Sequence, residues 1–244
     1  MAQPRVRPLE RKVLRDTVYE SLVDMLMSGA LLPEAPLSID GLASELAVSP
    51  TPVREALVHL ERTGLVTRAP LRGYRVAPPL TPDQIAQLCD TRLILEPGAL
   101  ALAFRRVQEL KPVLAKAHAK HVKAAGAVAG IVPDKSTMNA YREYMDADWG
   151  FHNTIFRFTD NVYLQNTADQ LPAHMHRLRQ SVRRGINDSE LAVAEHAAVL
   201  AAVEAEDLVA AQQAMYDHIA SVKERSLRDE TSLDTVEPAT AAGQ

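Results

Sequence analysis

One cysteine in 244 residues, Cys89, leaves no partner for an intrachain disulfide and fits a reducing compartment. No apolar run approaches the roughly 20 residues that cross a bilayer, and the first residues lack the apolar core of a secretory leader. A cytoplasmic protein is expected, with no membrane partner. Glycine is scarce (10 residues) and aromatics make up 5%, which argues against an all-β chain. Positive charge is not in excess either, since the formal net charge is −4. That total hides an asymmetry. Residues 1–80 hold 10 Lys/Arg against 9 Asp/Glu, and the remainder 17 against 22. A local basic face suffices for phosphate binding, and Arg5, Arg7, Arg11, Arg15, Arg54, Arg68, Arg72 and Arg75 all lie in the first part.

What is present is an alanine- and leucine-rich chain, 47% apolar and long enough for two modest domains. Periodicity predicts a helix from about Lys12 to Ser28, a Pro-containing loop over Leu31–Leu37, and a short helix over Ile39–Leu46 capped by Ser38. A third helix is predicted from Pro50 to about Thr63. Two short strands, Leu65–Arg68 and Tyr74–Val76, follow around a tip that carries Arg72 and Gly73. Pro78, Pro79 and Pro82 mark a boundary. From Thr81 to about Arg228 the pattern is helical almost throughout. One helix is read from Asn161 to about Arg184, another from a cap at Ser189 to Ala205, and a last one from a cap at Asp207. The expected division is residues 1–79, a winged helix-turn-helix with a flexible arm, then 80–228, an all-helical antiparallel bundle, then 229–244, a disordered tail. The fold class is mainly α.

The run from Val48 to Leu57, VSPTPVREAL, is the most telling stretch. Ser49 is a cap candidate, and Pro50 and Pro52 fit a first turn whose amides have no helical partner to lose. Thr51 and Arg54, three apart, share one face at the positive end of the helix dipole. That end attracts phosphate, and an arginine there can read guanine in the major groove. Ser49, Thr51, Arg54, Arg72 and Gly73 are therefore the candidate DNA-contacting residues. The alternative for Arg54 is an ordinary pairing with Glu55, Glu61 or solvent. Arg68 and Arg75 read either as phosphate contacts or as solvated strand charges.

The chain resembles the GntR family of bacterial transcription regulators, in the FadR-like subgroup with an FCD ligand domain. Leu42-Ala43, Val48–Leu57, Gly64-Leu65-Val66 and Arg72-Gly73 carry the resemblance in the first part. In the second it rests on Arg92-x-x-x-Glu96, Asp148-x-x-x-His152, Asn161-x-x-Leu164, Glu195-His196 and His218. Two departures stand out. Pro50 replaces a common arginine, and Pro33-Glu34 replaces the usual Pro-Gly, which is expected to alter that turn. The resemblance implies a homodimer that binds a palindromic double-stranded DNA operator and responds to a small organic-acid effector, most often as a repressor.

Asp148 and His152 are four apart, so they project together from a helix. His196 and His218 lie among apolar neighbours on the last two helices. An antiparallel bundle can bring all four to one interior point. Their positions match the subgroup's metal site, and three imidazoles with a carboxylate suit a divalent transition metal, zinc by default, with nickel, manganese or iron as alternatives. Arg92 is the candidate effector ligand. Its rival role is an exposed i,i+4 ion pair with Glu96, worth a few tenths of a kcal/mol. His59, His118, His121, His174 and His176 lack a comparable match and are expected in solvent. A metal-sensing regulator is the nearest alternative function. A metal-dependent hydrolase is the more distant one, because no His-Glu-x-x-His helix, nucleophile elbow or phosphate loop is present, and Glu195 points away from His196 along the helix. An enzyme is not expected.

Overall fold

A computed structural model describes residues 11–69, 73–131, 136–181 and 188–231. Two compact units result, Met1–Pro79 and Leu80–Gln244. The first runs α1 (Arg11–Met27), β1 (Pro36–Leu37), α2 (Ile39–Glu45), α3 (Pro50–Arg62), β2 (Val66–Ala69) and β3 (Gly73–Val76). Its core joins Val18, Leu22 and Leu26 of α1 to Val53, Ala56, Leu57 and Leu60 of α3, with Leu42, Val66, Tyr74 and Val76 closing the sides. Removing a fully buried leucine such as Leu57 to alanine costs about 2–5 kcal/mol, so this cluster sets the position of α3. Ser38 caps α2 as expected, its hydroxyl accepting from the Gly41 amide at 3.1 Å. Gly64 ends α3 in the left-handed conformation (φ 74°), and the Leu65 amide donates back to the Leu60 carbonyl.

One reading of this unit needs correction. The stretch Leu31–Leu37, expected as loop throughout, ends in a short strand. β1 pairs antiparallel with β3, giving sheet order β1-β3-β2, and Leu37 opposite Tyr74 is buried. A two-residue strand has no period for a sequence to display. The Pro33-Glu34 turn has no glycine to relieve its backbone. Glu34 adopts φ 63°, the left-handed backbone that glycine accepts freely, and Arg75 donates to its carbonyl at 2.9 Å. The sheet contacts hold the turn shape, and Glu34 bears the strain.

The second unit is α4 (Pro82–Ala103), a 3₁₀ turn (Phe104–Arg106), α5 (Val107–Val128), α6 (Met138–Arg157), α7 (Val162–Ala168), α8 (Leu171–Ser181), α9 (Ser189–Glu204) and α10 (Leu208–Thr231). Thr81 and Gln84 form a reciprocal capping box at the start of α4. The single helix read after Asn161 is two helices, α7 and α8. Asn161 caps the first through Oδ1, which accepts from Tyr163 and Leu164. Ser189 is the first buried residue of α9 rather than its cap, a position held by Asp188. Asp207 does cap α10, its Oδ1 accepting from the Ala210 amide.

Packing in this unit follows the apolar stripes. α5 lies against α6 and α9, and α10 against α4 and α9. Lys223–Asp90 and Gln212–Pro97 contacts show that α10 runs antiparallel to α4. Leu100, Leu110, Leu114, Phe151, Phe156, Val199, Val203, Met215 and Ile219 form the core. Among the described residues, no helix is long and apolar enough to cross a membrane.

Candidate DNA-reading face and candidate metal centre

α3 separates its two faces cleanly. Val53, Ala56, Leu57 and Leu60 are buried, whereas Thr51, Arg54, Glu55 and Val58 face outward. Arg54 has no ion-pair partner among the described residues, so the pairing with Glu55 or Glu61 does not form. Its guanidinium stands free at the first turn, where the helix dipole and unpaired amides favour an anion. Ser49 occupies the cap position with extended backbone, but its hydroxyl makes no capping bond. The two prolines of the first turn already relieve part of the need for one. Ser49 is exposed and can donate elsewhere.

Gly73 opens β3 at φ 74° and is exposed, with nothing within 4 Å of the place a Cβ would take. Arg72, the other candidate at the hairpin tip, lies outside the described residues. Of the strand arginines, Arg68 sits over the Tyr74 ring at 5.6 Å, and Arg75 is tied to the Glu34 carbonyl. Arg75 therefore has a structural task that its sequence position did not reveal.

The second unit gathers its histidines at one interior point. His152 from α6, His196 from α9 and His218 from α10 are all at most 2% exposed. His196 Nε2 lies 3.1 Å from His152 Nε2 and 3.3 Å from His218 Nε2. Phe151 stacks on the His196 ring at 4.2 Å between centroids, which fixes its plane. Asp148, one turn before His152, puts Oδ1 4.0 Å from His196 Nε2. It groups most closely with His196 and a fourth imidazole, His121.

His121 is a correction to the sequence reading, which placed it in solvent. It is fully buried on α5, with Nδ1 3.0 Å from His196 Nδ1 and Nε2 3.5 Å from Asp148 Oδ1. The signal was available: Leu114, His121 and Val128 recur every seven residues on the buried stripe of α5. His118, on the partly buried flank, bonds the Val193 carbonyl instead.

Arg92 and Glu96 overturn the exposed-pair alternative. Their side chains are 2% and 1% exposed, with Arg92 Nε 2.6 Å from Glu96 Oε1. Arg92 also directs Nη2 to within 3.3 Å of His152 Nε2. Glu96 Oε2 lies 2.6 Å from His152 Nδ1, close but poorly aligned with the ring N–H. Burial alone raises a carboxyl pKa, yet the Arg92 charge and the His152 contact outweigh it and hold Glu96 well below its ordinary range. On the other side, Glu195 Oε2 is 2.8 Å from His218 Nδ1, and Arg225 clamps the same carboxylate through two nitrogens. Glu195 thus faces a neighbouring helix's histidine rather than its own.

Burial lowers the proton affinity of His196, His218 and His121, the last to about 4, and the crowding of like groups adds to it. Neutral imidazoles are the ligand form of histidine. Two ligands about 2.0–2.1 Å from one ion subtend roughly 2.9–3.4 Å. The Nε2 separations fall in that range, so this donor set fits a divalent transition metal.

Residues 87–221 match the FCD domain family, and residues 14–76 match the family of bacterial regulatory proteins called gntR. A Streptomyces ambofaciens HTH-type transcriptional regulator from an unstable DNA locus is 29% identical over 217 residues, covering 85% of this chain and 83% of that one. The repressor RspR of Escherichia coli is 23% identical, covering 88% and 90%. The solved structure of E. coli McbR/YncC superposes with a TM-score of 0.61 at 25% identity, over 88% of this chain and 97% of that one. A GntR regulator from Rhodococcus shares the fold with a TM-score of 0.62 at 19% identity. A winged helix-turn-helix with an outward-facing arginine, joined to a helical unit of this kind, places the chain in the GntR family of DNA-binding transcription regulators, with an FCD domain as its second part; these relatives are regulators, not enzymes.

Proposed function

We propose that the protein is a homodimeric repressor, released from a palindromic operator by a small organic acid that binds beside a metal ion. Thr51, Arg54 and Ser49 of each subunit contact DNA, and two-fold symmetry demands matched half-sites. His152, His196 and His218 hold the metal with Asp148 beside them, and zinc is the leading candidate. The bound ion would supply a Lewis-acid position that a carboxylate can occupy. Arg92 adds a fixed positive charge at the edge of the same space. The observation that carries this reading is the meeting of three buried imidazole nitrogens, with His196 Nε2 3.1 Å from His152 Nε2 and 3.3 Å from His218 Nε2. Effector and operator must then influence each other's affinity equally.

The burial of the centre favours a second reading, in which the ion itself is the signal or a brace, since the three histidines are at most 2% exposed. Operator release measured against candidate acids and against chelator decides between them. Release by an acid at constant metal load supports effector sensing. Release by metal withdrawal alone, with no acid effective, supports metal sensing.

A further inference from the structure

Each of the three converging histidines has its outer nitrogen against a separate partner. His152 Nδ1 meets Glu96, His218 Nδ1 meets Glu195, and His196 Nδ1 meets His121 Nδ1. Glu96 is held in turn by Arg92 and Glu195 by Arg225, while Asp148 Oδ1 stands 3.5 Å from His121 Nε2 without a hydrogen bond. We infer that Glu96, Glu195 and His121 are positioning residues that force all three imidazoles into the Nδ1–H tautomer and so aim three Nε2 lone pairs at one point.

The proton accounting leads there. A carboxylate only accepts, so His218 must carry its proton on Nδ1 to bond Glu195, while at His152 the Glu96 charge 2.6 Å from Nδ1, though out of line for a hydrogen bond, draws the proton to the same nitrogen. Their Nε2 atoms are then lone pairs. Between His196 and His121 one Nδ1 donates and the other accepts. If His196 donates, His121 carries its own proton on Nε2, where the Asp148 carboxylate 3.5 Å away attracts it without a formed hydrogen bond. That arrangement leaves His196 Nε2 as the third lone pair, 3.1 and 3.3 Å from the other two. Arg92 Nη2 offers a donor to His152 Nε2 at 3.3 Å. The remaining repulsion is what a cation at the meeting point removes, so the outer partners raise affinity before the ion arrives. The arms are unequal. Two end on buried or half-buried carboxylates with arginine counter-ions, and one ends on a neutral imidazole from α5.

This inference rests on the proposed metal site, but the tautomers can be read without any metal. Long-range ¹H–¹⁵N NMR of histidine-labelled, metal-free full-length protein near neutral pH distinguishes Nδ1–H from Nε2–H. His152, His196 and His218 are each assigned from their His→Gln variants. Wild type is expected to show all three as Nδ1–H. Glu195→Ala, on the least buried arm, should return His218 to the Nε2–H or mixed form and leave His152 unchanged. His121→Phe should do the same to His196. Cobalt(II) affinity, followed by visible absorption, should fall about 10- to 100-fold in both variants at unchanged one-ion stoichiometry. Nε2–H signals for His218 or His152 in wild type, or unaltered tautomers and cobalt affinity in the variants, would overturn the inference. Wild-type protein with the expected tautomers that takes up neither cobalt nor zinc would instead defeat the metal reading and leave the tautomer relay standing.

Discussion

Replacing Glu96 by alanine leaves the Arg92 guanidinium in a site that is 2% exposed, with its Nε partner gone and, among the described residues, Met175 Sδ and His152 Nε2 as the hydrogen-bond contacts of its outer nitrogens. An arginine stays charged under these conditions, and Glu96 raises its proton affinity against the pull of burial. Breaking a buried pair on one side costs about 3–5 kcal/mol, because an uncompensated charge remains. An exposed i,i+4 pair costs only about 0.3–0.5 kcal/mol. The two descriptions of the Arg92–Glu96 pair thus differ nearly tenfold in energy. Trp149 provides the assay. It is the only tryptophan, and its ring stacks on His152 at 5.7 Å, so its fluorescence reports the helical unit alone. Urea unfolding of chelator-treated Glu96→Ala should show a loss of about 3–5 kcal/mol. Arg157→Ala, which breaks the exposed pair with Asp169, should lose less than about 1 kcal/mol. The double variant Arg92→Met/Glu96→Leu should recover most of the loss, since an apolar pair of similar volume needs no counter-ion. A Glu96→Ala loss below about 1 kcal/mol would show that Arg92 reaches solvent and would refute the buried description.

Three further outcomes follow from the same structure. Arg54→Ala should weaken binding to a duplex selected by the wild-type protein by about 1–3 kcal/mol while leaving random-sequence binding nearly unchanged; equal loss on both DNAs would make Arg54 a phosphate contact only. Glu34→Gly should stabilise the first unit by about 0.5–1 kcal/mol, since glycine accepts φ 63° without the left-handed penalty; a lower thermal midpoint would show that the turn is not strained. Metal-free protein should lose stability as pH falls. His121, His196 and His218 have lowered proton affinity when folded, so below about pH 6.5 the unfolded chain takes up protons that the folded chain refuses. The loss ends near the folded value, about 4 for His121. Stability that is flat from pH 7 to pH 4 would contradict it.

Much of this was legible in the chain because it lies in periodic segments. The apolar spacing of α1 and α3 and the turn residues around them fixed those helices within a residue or two. The i,i+4 spacing of Asp148 and His152 also announced a shared face. Three features were not legible, each for a physical reason. β1 is only two residues long, so its identity comes from pairing with β3 and not from any local pattern. Arg92 and Glu96 are four apart, which reads equally well as a solvent pair or a buried one; only the packing of α8 and α10 against α4 decides. Glu195 was discounted because it points away from His196. That direction is what lets it reach His218 across the helix pair. Charge pairs between helices far apart in sequence carry no local signature, and His121 shows that a histidine on an apolar stripe deserves the same reading as a leucine there.

Zinc content of tag-free, full-length protein tests the central claim most directly, measured by elemental analysis after exposure to zinc and removal of excess. One ion per subunit in wild type, falling to below a tenth in His196→Ala with the helical content retained, is the predicted result. A wild-type protein that takes up no zinc, nickel or manganese, or a His196→Ala protein that binds as much as wild type, would contradict the account.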